Sequence, residues 1–378
     1  KVTGDHYFYL NFCPIQLTEK TDAKRARKKT DFPHFWDGDF EFFWSRAIAR
    51  DGIIESLVPR ENLYLYDKFS EEQRHKREKI LLESLHMNSK IDENSLHGGY
   101  NMIIGKSRRK GYSYKNAAIG VKNYITQPDK LTIYGAYEKK YLYPKGTMSM
   151  ALNYINFINN NTAWAMPSDY INRSDHIKAS YKEYKNGIEL EKGFKSEIMA
   201  LTFKDNPDAA RGKDAVDIFF EESGAFGTPE LLKQSYAASE DCVKDGDIKT
   251  GMITIFGTSG DMEGGTADYA HMFFHPEKYD LLPFINVFEQ DDFGGQKIGF
   301  FHPVNWNMPG HMDEQGNSDN ESAISSVLKD RKYLEEKGAT STDLQRKAQE
   351  KPLKPSEAFA YTNINIFPKK ELEMRKNF

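Results

Sequence analysis

The chain has 378 residues, 39% of them hydrophobic and 13% aromatic, which is enough to bury a large core and excludes a disordered or low-complexity polymer. Lys and Arg number 52 against 56 Asp and Glu; the formal net charge of −4 excludes a whole-chain basic footprint, so any nucleic-acid contact falls to a local patch. Cys13 and Cys242 stand far apart in no metal-ligand spacing, which argues against a disulfide framework or a zinc site and makes a reducing compartment the default.

No apolar run approaches the ~20 residues that a membrane span needs, and the opening KVTGDHYFYLNFCPI lacks the unbroken apolar stretch of a signal peptide. The reading is a soluble protein without membrane contact. Residues 7–17, YFYLNFCPIQL, are rich in β-formers and read as a strand, and the basic run KTDAKRARKKTD at 20–31 reads as a solvated loop, with a nucleic-acid patch as the alternative. WDGDFEFFWSRAIAR at 36–50 places Phe40, Phe43, Trp44 and Ile48 on one helical face; Trp36, Asp37 and Phe40 either line a base pocket or belong to that core face. SEEQRHKREKILLESL at 70–85 is a charged, exposed helix capped by Ser70.

From residue 101 the texture becomes strand, glycine-bearing turn, helix: NMIIG, KSRRKG, YSYKNAAIGVKNYI. LTIYGAYEKKYLY reads as a strand leading to the helix TMSMALNYINFINN, KEYKNGIELEKG carries the Asn186-Gly187 turn of a hairpin, and DAVDIFFEE is a buried strand. Thr228 as N-cap with Pro229 at the first position starts the helix TPELLKQSYAASEDC, and TGMITIFGTSG is a further buried strand. Such alternation predicts a mostly parallel sheet flanked by helices. Past residue 275, short aromatic strands in LLPFINVF and KIGFFHPVNW precede charged helices at about 321–337 and 341–350, after which Pro352 and Pro355 open a linker. His271 and His275 share a helical face at metal-ligand spacing, but without an evident third ligand they read as packing.

Three segments carry candidate chemistry, each at a strand end. KSRRKGYS, residues 106–113, departs from the phosphate-loop pattern G-x-x-x-x-G-K-[ST]: Lys106 stands where the first glycine belongs and Tyr112 where the lysine belongs, while Gly111 and Ser113 keep their places. Lys106 reaches the same phosphate oxygens from the other end of the loop if this is a nucleotide site; otherwise the segment is a basic turn. In VDIFFEES the strand ends in Glu221 and Glu222, one carboxylate to order a magnesium shell and one to polarise an attacking water. ITIFGTSG ends in Thr258 and Ser259, polar groups placed to sense a γ-phosphate. Ligands in open parallel sheets bind at the carboxyl ends of strands, where these three segments converge.

On those residues the chain resembles the large terminase subunit of tailed bacteriophages, the ATPase of the DNA-packaging motor: KSRRKGYSYK is similar to its deviant Walker A, AARGKDAVDIFFEESG to its Walker B with a preceding arginine, and FGTSG to its coupling motif. The resemblance implies a P-loop NTPase of the additional-strand (ASCE) type with a small N-terminal or lid subdomain, binding ATP and Mg²⁺. Lys106 is then the phosphate lysine within a binding loop of Lys106, Ser107, Arg108, Arg109, Lys110, Gly111, Tyr112 and Ser113. Ser113 and Glu221 serve the metal, Glu222 is the base, Thr258 and Ser259 couple hydrolysis to movement, and Arg211 matches an arginine that in some members of the family reaches a neighbour's nucleotide, with a surface ion pair to Asp208 or Asp214 as the alternative. Glu221 departs from the family's usual aspartate.

The implied organisation is an N-terminal adenine-side and lid region over 1–98, the ATPase core over 99–350, and a linker over 351–378 toward a nuclease domain that this chain does not contain, so no nuclease activity is expected. The implied partners are double-stranded DNA, a portal protein, a small terminase subunit and further copies of the chain in a ring, with a monomer in isolation, in host cytoplasm at the procapsid portal. A helicase-like DNA-dependent ATPase and a non-enzymatic adaptor with a degenerate P-loop remain alternatives.

Overall fold

The computed structural model describes residues 1–20, 26–258, 266–290 and 293–360. Its main helices are α1 (Gly4–Phe12), α2 (Asp37–Asp51), α3 (Glu71–Ser84), α4 (Tyr112–Thr126), α5 (Thr147–Asn161), α6 (Leu231–Glu240), α7 (Thr266–Phe274), α8 (Asn320–Glu336) and α9 (Ser341–Glu350). Between them run a hairpin of β1 (Ile15–Lys20) and β2 (Ala26–Asp31) and the strands β3 (Met102–Lys106), β4 (Leu131–Ala136), β5 (Ile171–Arg173), β6 (His176–Lys185), β7 (Ile188–Thr202), β8 (Ala215–Glu221), β9 (Met252–Gly257) and β10 (Phe300–His302).

The strands from β3 onward form an eight-stranded sheet in the order β10-β3-β9-β8-β4-β7-β6-β5. β10 through β7 pair in parallel, and only the β7–β6 and β6–β5 pairings are antiparallel. Every residue of β3, β8 and β9 is buried, Asp217 and Thr254 included, as the near-continuous apolar runs of a parallel sheet covered on both faces require. β9 lies between the loop strand β3 and the acidic strand β8, so the additional strand expected of a P-loop NTPase of the ASCE type is in place. Register aligns the strand ends: His302 pairs with Lys106, Gly257 with Gly105, and Ala136 with Glu221. Lys106, Glu221, Glu222 and Thr258 therefore emerge at one edge.

A buried ionic network fixes the layers behind that edge. Arg46 of α2, fully buried, pairs with Asp5 of α1 at 2.9 Å and with Asp217 of β8; Lys122 of α4 reaches Asp5 at 2.5 Å, and Asn123 donates to Asp217 at 2.7 Å. Removing one member of such a network strands a charge in the core, at a cost of about 3–5 kcal/mol.

Several local expectations change. Residues 7–17 are not one strand: α1 runs to Phe12, started by Thr3, whose hydroxyl accepts from the His6 N–H at 3.2 Å, and strand begins at Ile15. Burial of Phe8 and Tyr9 against the core outweighs the β-propensity of YFYLNF. Part of the basic run is strand rather than loop, since Ala26–Asp31 pairs with Ile15–Lys20; residues 21–25 lie outside the described residues. The helix expected from Thr228 and Pro229 starts at Leu231 instead, because Glu230 takes a left-handed conformation (φ 65°) just before it. The capping box of Ser70 with Gln73 and the left-handed Asn186-Gly187 turn form as read. Residues 361–378 of the expected linker lie outside the described residues, as does Ser259.

Candidate active site

The strand edge opens on a cleft of about 700 Å³. One wall is the phosphate-type loop. β3 ends at Lys106, the chain turns through Arg109 (φ 63°) and Gly111 (φ 70°), and α4 starts at Tyr112 with no side chain capping its N-terminus. Gly111 is the residue that takes the left-handed turn there at least strain. The first N–H groups of a helix have no intrahelical acceptor, so an uncapped N-terminus beside a cleft offers donors and a positive dipole end to an anion.

Lys106 and Glu222 face each other across the β3 and β8 ends, with Nζ 3.1 Å from Oε1. The other carboxylate oxygen accepts from the Thr258 N–H and hydroxyl, each at 3.3 Å, so all three motifs meet on Glu222. Burial pushes the Glu222 carboxyl up, but the Lys106 ammonium and the Thr258 donors outweigh it and hold it below the usual glutamate range. Glu222 sits in a left-handed backbone conformation (φ 45°, ψ 55°), uncommon for a residue with a side chain and typical of functional turns.

Glu221 is in a different environment. Its Oε2 accepts from the Ser113 hydroxyl at 3.1 Å, whereas its Oε1 is buried with no hydrogen-bond partner. Burial, with Glu222 next to it, pushes the Glu221 carboxyl up to about 8, against the pull of the Thr147 and Ser113 hydroxyls. A buried carboxyl with an empty oxygen, beside a serine hydroxyl, fits the hard-oxygen donor set of a magnesium ion. Among the described residues no group of three or more His, Cys, Asp or Glu offers a metal site made of those types alone.

The remaining loop positions divide. Arg109, Gly111, Tyr112 and Ser113 line the cleft with Lys106. Ser107 and Arg108 turn away: their N–H groups donate to the His302 and Glu350 carbonyls at 3.0 and 3.1 Å, the Ser107 hydroxyl also reaches the Glu350 carbonyl, and the Arg108 guanidinium pairs with the Glu350 carboxylate. Lys110 borders the cleft, but its ammonium is committed to the Val304 carbonyl at 3.0 Å and to that of Trp306; burial pushes its pKa down to about 7. The Tyr112 ring is core, its hydroxyl 3.1 Å from His302 Nδ1 and its face 3.9 Å from the Lys115 ammonium, which pairs with Asp39 at 2.6 Å. Arg211 is exposed in the approach to β8, at the opposite edge of the sheet, within 3.3 Å of Asp208.

The facing wall comes from elements that the sequence left uncommitted: Gln16, Leu17 and Thr18 of β1, Lys29 and Asp31 of β2, Trp36, and Met312 from a distant loop. Asp37 secures that loop, accepting from Asn307 Nδ2 at 2.6 Å and from the Ser318 N–H and hydroxyl, both at 2.8 Å. Phe40 lines an adjoining hollow with Glu41, His86 and Asn88. His271 and His275 pack at 4.7 Å between ring centroids.

The chain is similar to the ATPase domains of phage large terminases. The ATPase domain of the Thermus phage P74-26 large terminase shares 11% identity and a TM-score of 0.44 over 73% of this chain and 97% of that one. The HK97 bacteriophage large terminase shares 12% identity and a TM-score of 0.37 over 80% of this chain and 53% of its own; the large terminase of a thermophilic bacteriophage, in complex with ADP, shares 13% and 0.33 over 48% and 39%. No protein-family model and no curated protein matches. Cys13 and Cys242 are free and buried, and no described helix is long and apolar enough to cross a membrane.

Two site features had no signal in the loop motif itself. Thr147 sits in an ordinary helix start, and its relation to Glu221 depends on β4, the strand before it, pairing with β8. The withdrawal of Lys110 follows from the position of residues 304–306, roughly two hundred residues away.

Proposed function

We propose that this chain is an ATP-hydrolysing motor domain of the terminase type. The observation that carries it is the convergence of Lys106 and Thr258 on the Glu222 carboxylate, next to the Ser113–Glu221 pair, at the mouth of a cleft bounded by an uncapped helix N-terminus.

Without nucleotide the Lys106–Glu222 pair holds both charges. A triphosphate in the cleft offers Lys106 denser negative charge, so the lysine exchanges Glu222 for phosphate oxygens and releases the carboxylate. Glu222 then accepts a proton from the water whose oxygen attacks the γ-phosphorus, as the bond to the β–γ bridging oxygen breaks. Thr258 N–H and hydroxyl hold Glu222 through this exchange, which links the turn after β9 to the state of the site. Mg²⁺ would be held from Ser113 and Glu221, and when bound it neutralises charge on the phosphates. Arg211, exposed at the far edge, would serve the nucleotide of a neighbouring copy in a ring.

The further reading is double-stranded DNA translocation into a procapsid at its portal, in host cytoplasm, with a portal protein and small terminase subunit as partners; it rests on the sequence resemblance. DNA contact would be with the phosphate backbone and strongly salt-dependent. Calorimetry with MgATP tests the site, and Glu222→Gln is the decisive variant: it should bind MgATP as the wild type does while turnover falls by about 10²–10⁴-fold. Undiminished hydrolysis by Glu222→Gln would remove the base from this scheme. Strand separation on forked duplex DNA would point to a helicase-like ATPase, and failure to bind nucleotide to an adaptor.

A further inference from the structure

Thr147 is fully buried at the first position of α5, with Gly146 as the residue before the helix. Its placement is rigid. A Cβ on Gly146 would collide with the Tyr141 carbonyl, and the N–H groups of Met148 and Ser149 both donate to the Leu142 carbonyl, at 3.1 and 3.4 Å. β4, which leads into this turn, pairs with β8 so that Ala136 is level with Glu221. The Thr147 hydroxyl thereby comes within reach of the Glu221 carboxyl. Both Thr147 Oγ1 and Glu221 Oε1 are buried with no formed hydrogen bond, although a threonine hydroxyl enclosed this completely is normally satisfied.

We propose that Thr147 is a positioning residue of the divalent-cation site, orienting the Glu221 carboxylate from the side opposite Ser113. This inference rests on the nucleotide-site reading above. Glutamate has one more rotatable bond than aspartate, so a carboxylate on the longer arm must be fixed from both sides to present an oxygen in one place. Ser113 fixes Oε2. Ser113 is itself a candidate ligand, and with its oxygen on a cation the hydroxyl left to hold Glu221 would be that of Thr147. The Thr147 hydroxyl would then donate a hydrogen bond to Oε1, the oxygen that has no donor. The two hydroxyls available to Glu221 thus come from the first turns of α5 and α4, which start at the same strand edge.

The test is calorimetric binding of the β,γ-imido analogue of ATP, with and without Mg²⁺, to the whole chain. For the wild type Mg²⁺ should strengthen binding. Thr147→Val, which keeps the shape and removes the hydroxyl, should lose about five- to tenfold of that strengthening while its metal-free affinity stays within about twofold. Thr147→Ser should restore the wild-type response, as a hydroxyl role requires and a packing role does not. Thr147→Ala supplies the same reading should Thr147→Val fold poorly. An undiminished Mg²⁺ response in the hydroxyl-free variants would overturn the proposal, and so would a Thr147→Ser variant as impaired as Thr147→Val. A wild type that binds no analogue fails at the nucleotide-site reading instead, a separate result visible before any variant is made.

Discussion

The two walls of the cleft are built on different supports. The wall of Lys106, Glu222 and the first turn of α4 stands on β3 and β8, parallel strands buried at every position, whereas the facing wall of Gln16, Leu17, Thr18, Lys29 and Asp31 is a two-stranded hairpin that pairs with itself and not with the central sheet. Two strands alone are marginally stable in water and depend on what they lean against. Chemistry that needs atoms fixed to a fraction of an ångström belongs on the first kind of wall, and recognition that tolerates adjustment belongs on the second. Substitutions on the sheet wall should therefore act on turnover and those on the hairpin wall on affinity.

The largest effect is expected at Lys106. Lys106→Ala removes the loop cation that the structure pairs with Glu222 and should lower ATP turnover by at least ~10²-fold, measured as steady-state phosphate release. Trp36→Ala takes away an aromatic face on the other wall and should raise the nucleotide Kd about five- to tenfold with kcat within about twofold, read from titrations and saturation kinetics. Should Trp36→Ala lower kcat and leave affinity alone, the division of labour between the walls would be wrong.

The same division explains what the sequence made legible. β3, β8 and β9 could be read because strands buried on both faces need near-continuous apolar runs, and such runs followed by KSRRKGYS, EES and GTS leave few alternatives for the edge they share. The hairpin wall could not be read. YFYLNF has the composition of a strand and becomes helix because Phe8 and Tyr9 find a core that local pattern does not reveal, and Arg27, Lys28 and Lys29 look like a solvated run while being one side of a strand pair. Within the loop, local pattern lends each basic residue equal standing, whereas the fold separates Lys106 and Arg109, at the cleft, from Arg108 and Lys110, drawn off by Glu350 and the carbonyls of Val304 and Trp306.

Lys110 sharpens that separation through pH. Its ammonium is buried and gives up its proton near 7 in the folded chain, against 10.5 for the unfolded one. Between those values the unfolded state binds more protons, so folding stability rises with pH from about 7 to 10.5, and below 7 both states are charged and this slope vanishes. The slope can reach about 1.4 kcal/mol per pH unit. Lys110→Met abolishes it, so the stability difference between wild type and variant should shift in favour of the wild type as pH rises from about 7 to 9, by urea unfolding in metal-free buffer. A difference that stays flat would mean that Lys110 keeps its ordinary proton and points into the cleft instead.

The smallest effect is expected at Glu350, the last residue of α9. Its carboxylate pairs with Arg108, but both side chains are about half exposed, and such pairs are worth roughly 0–1 kcal/mol. A negative side chain at a helix C-terminus also opposes the helix dipole, which offsets part of that gain. The stronger tie survives substitution, because the Glu350 carbonyl still accepts from the Arg108 N–H and the Ser107 hydroxyl. Glu350→Ala should therefore change stability by less than about 0.5 kcal/mol. With its guanidinium no longer neutralised, Arg108 should tighten nucleotide binding by less than about threefold, an effect that salt removes. A tenfold or larger change in affinity would place Arg108 on the phosphate-binding wall and leave Lys110 as the loop cation drawn away from it.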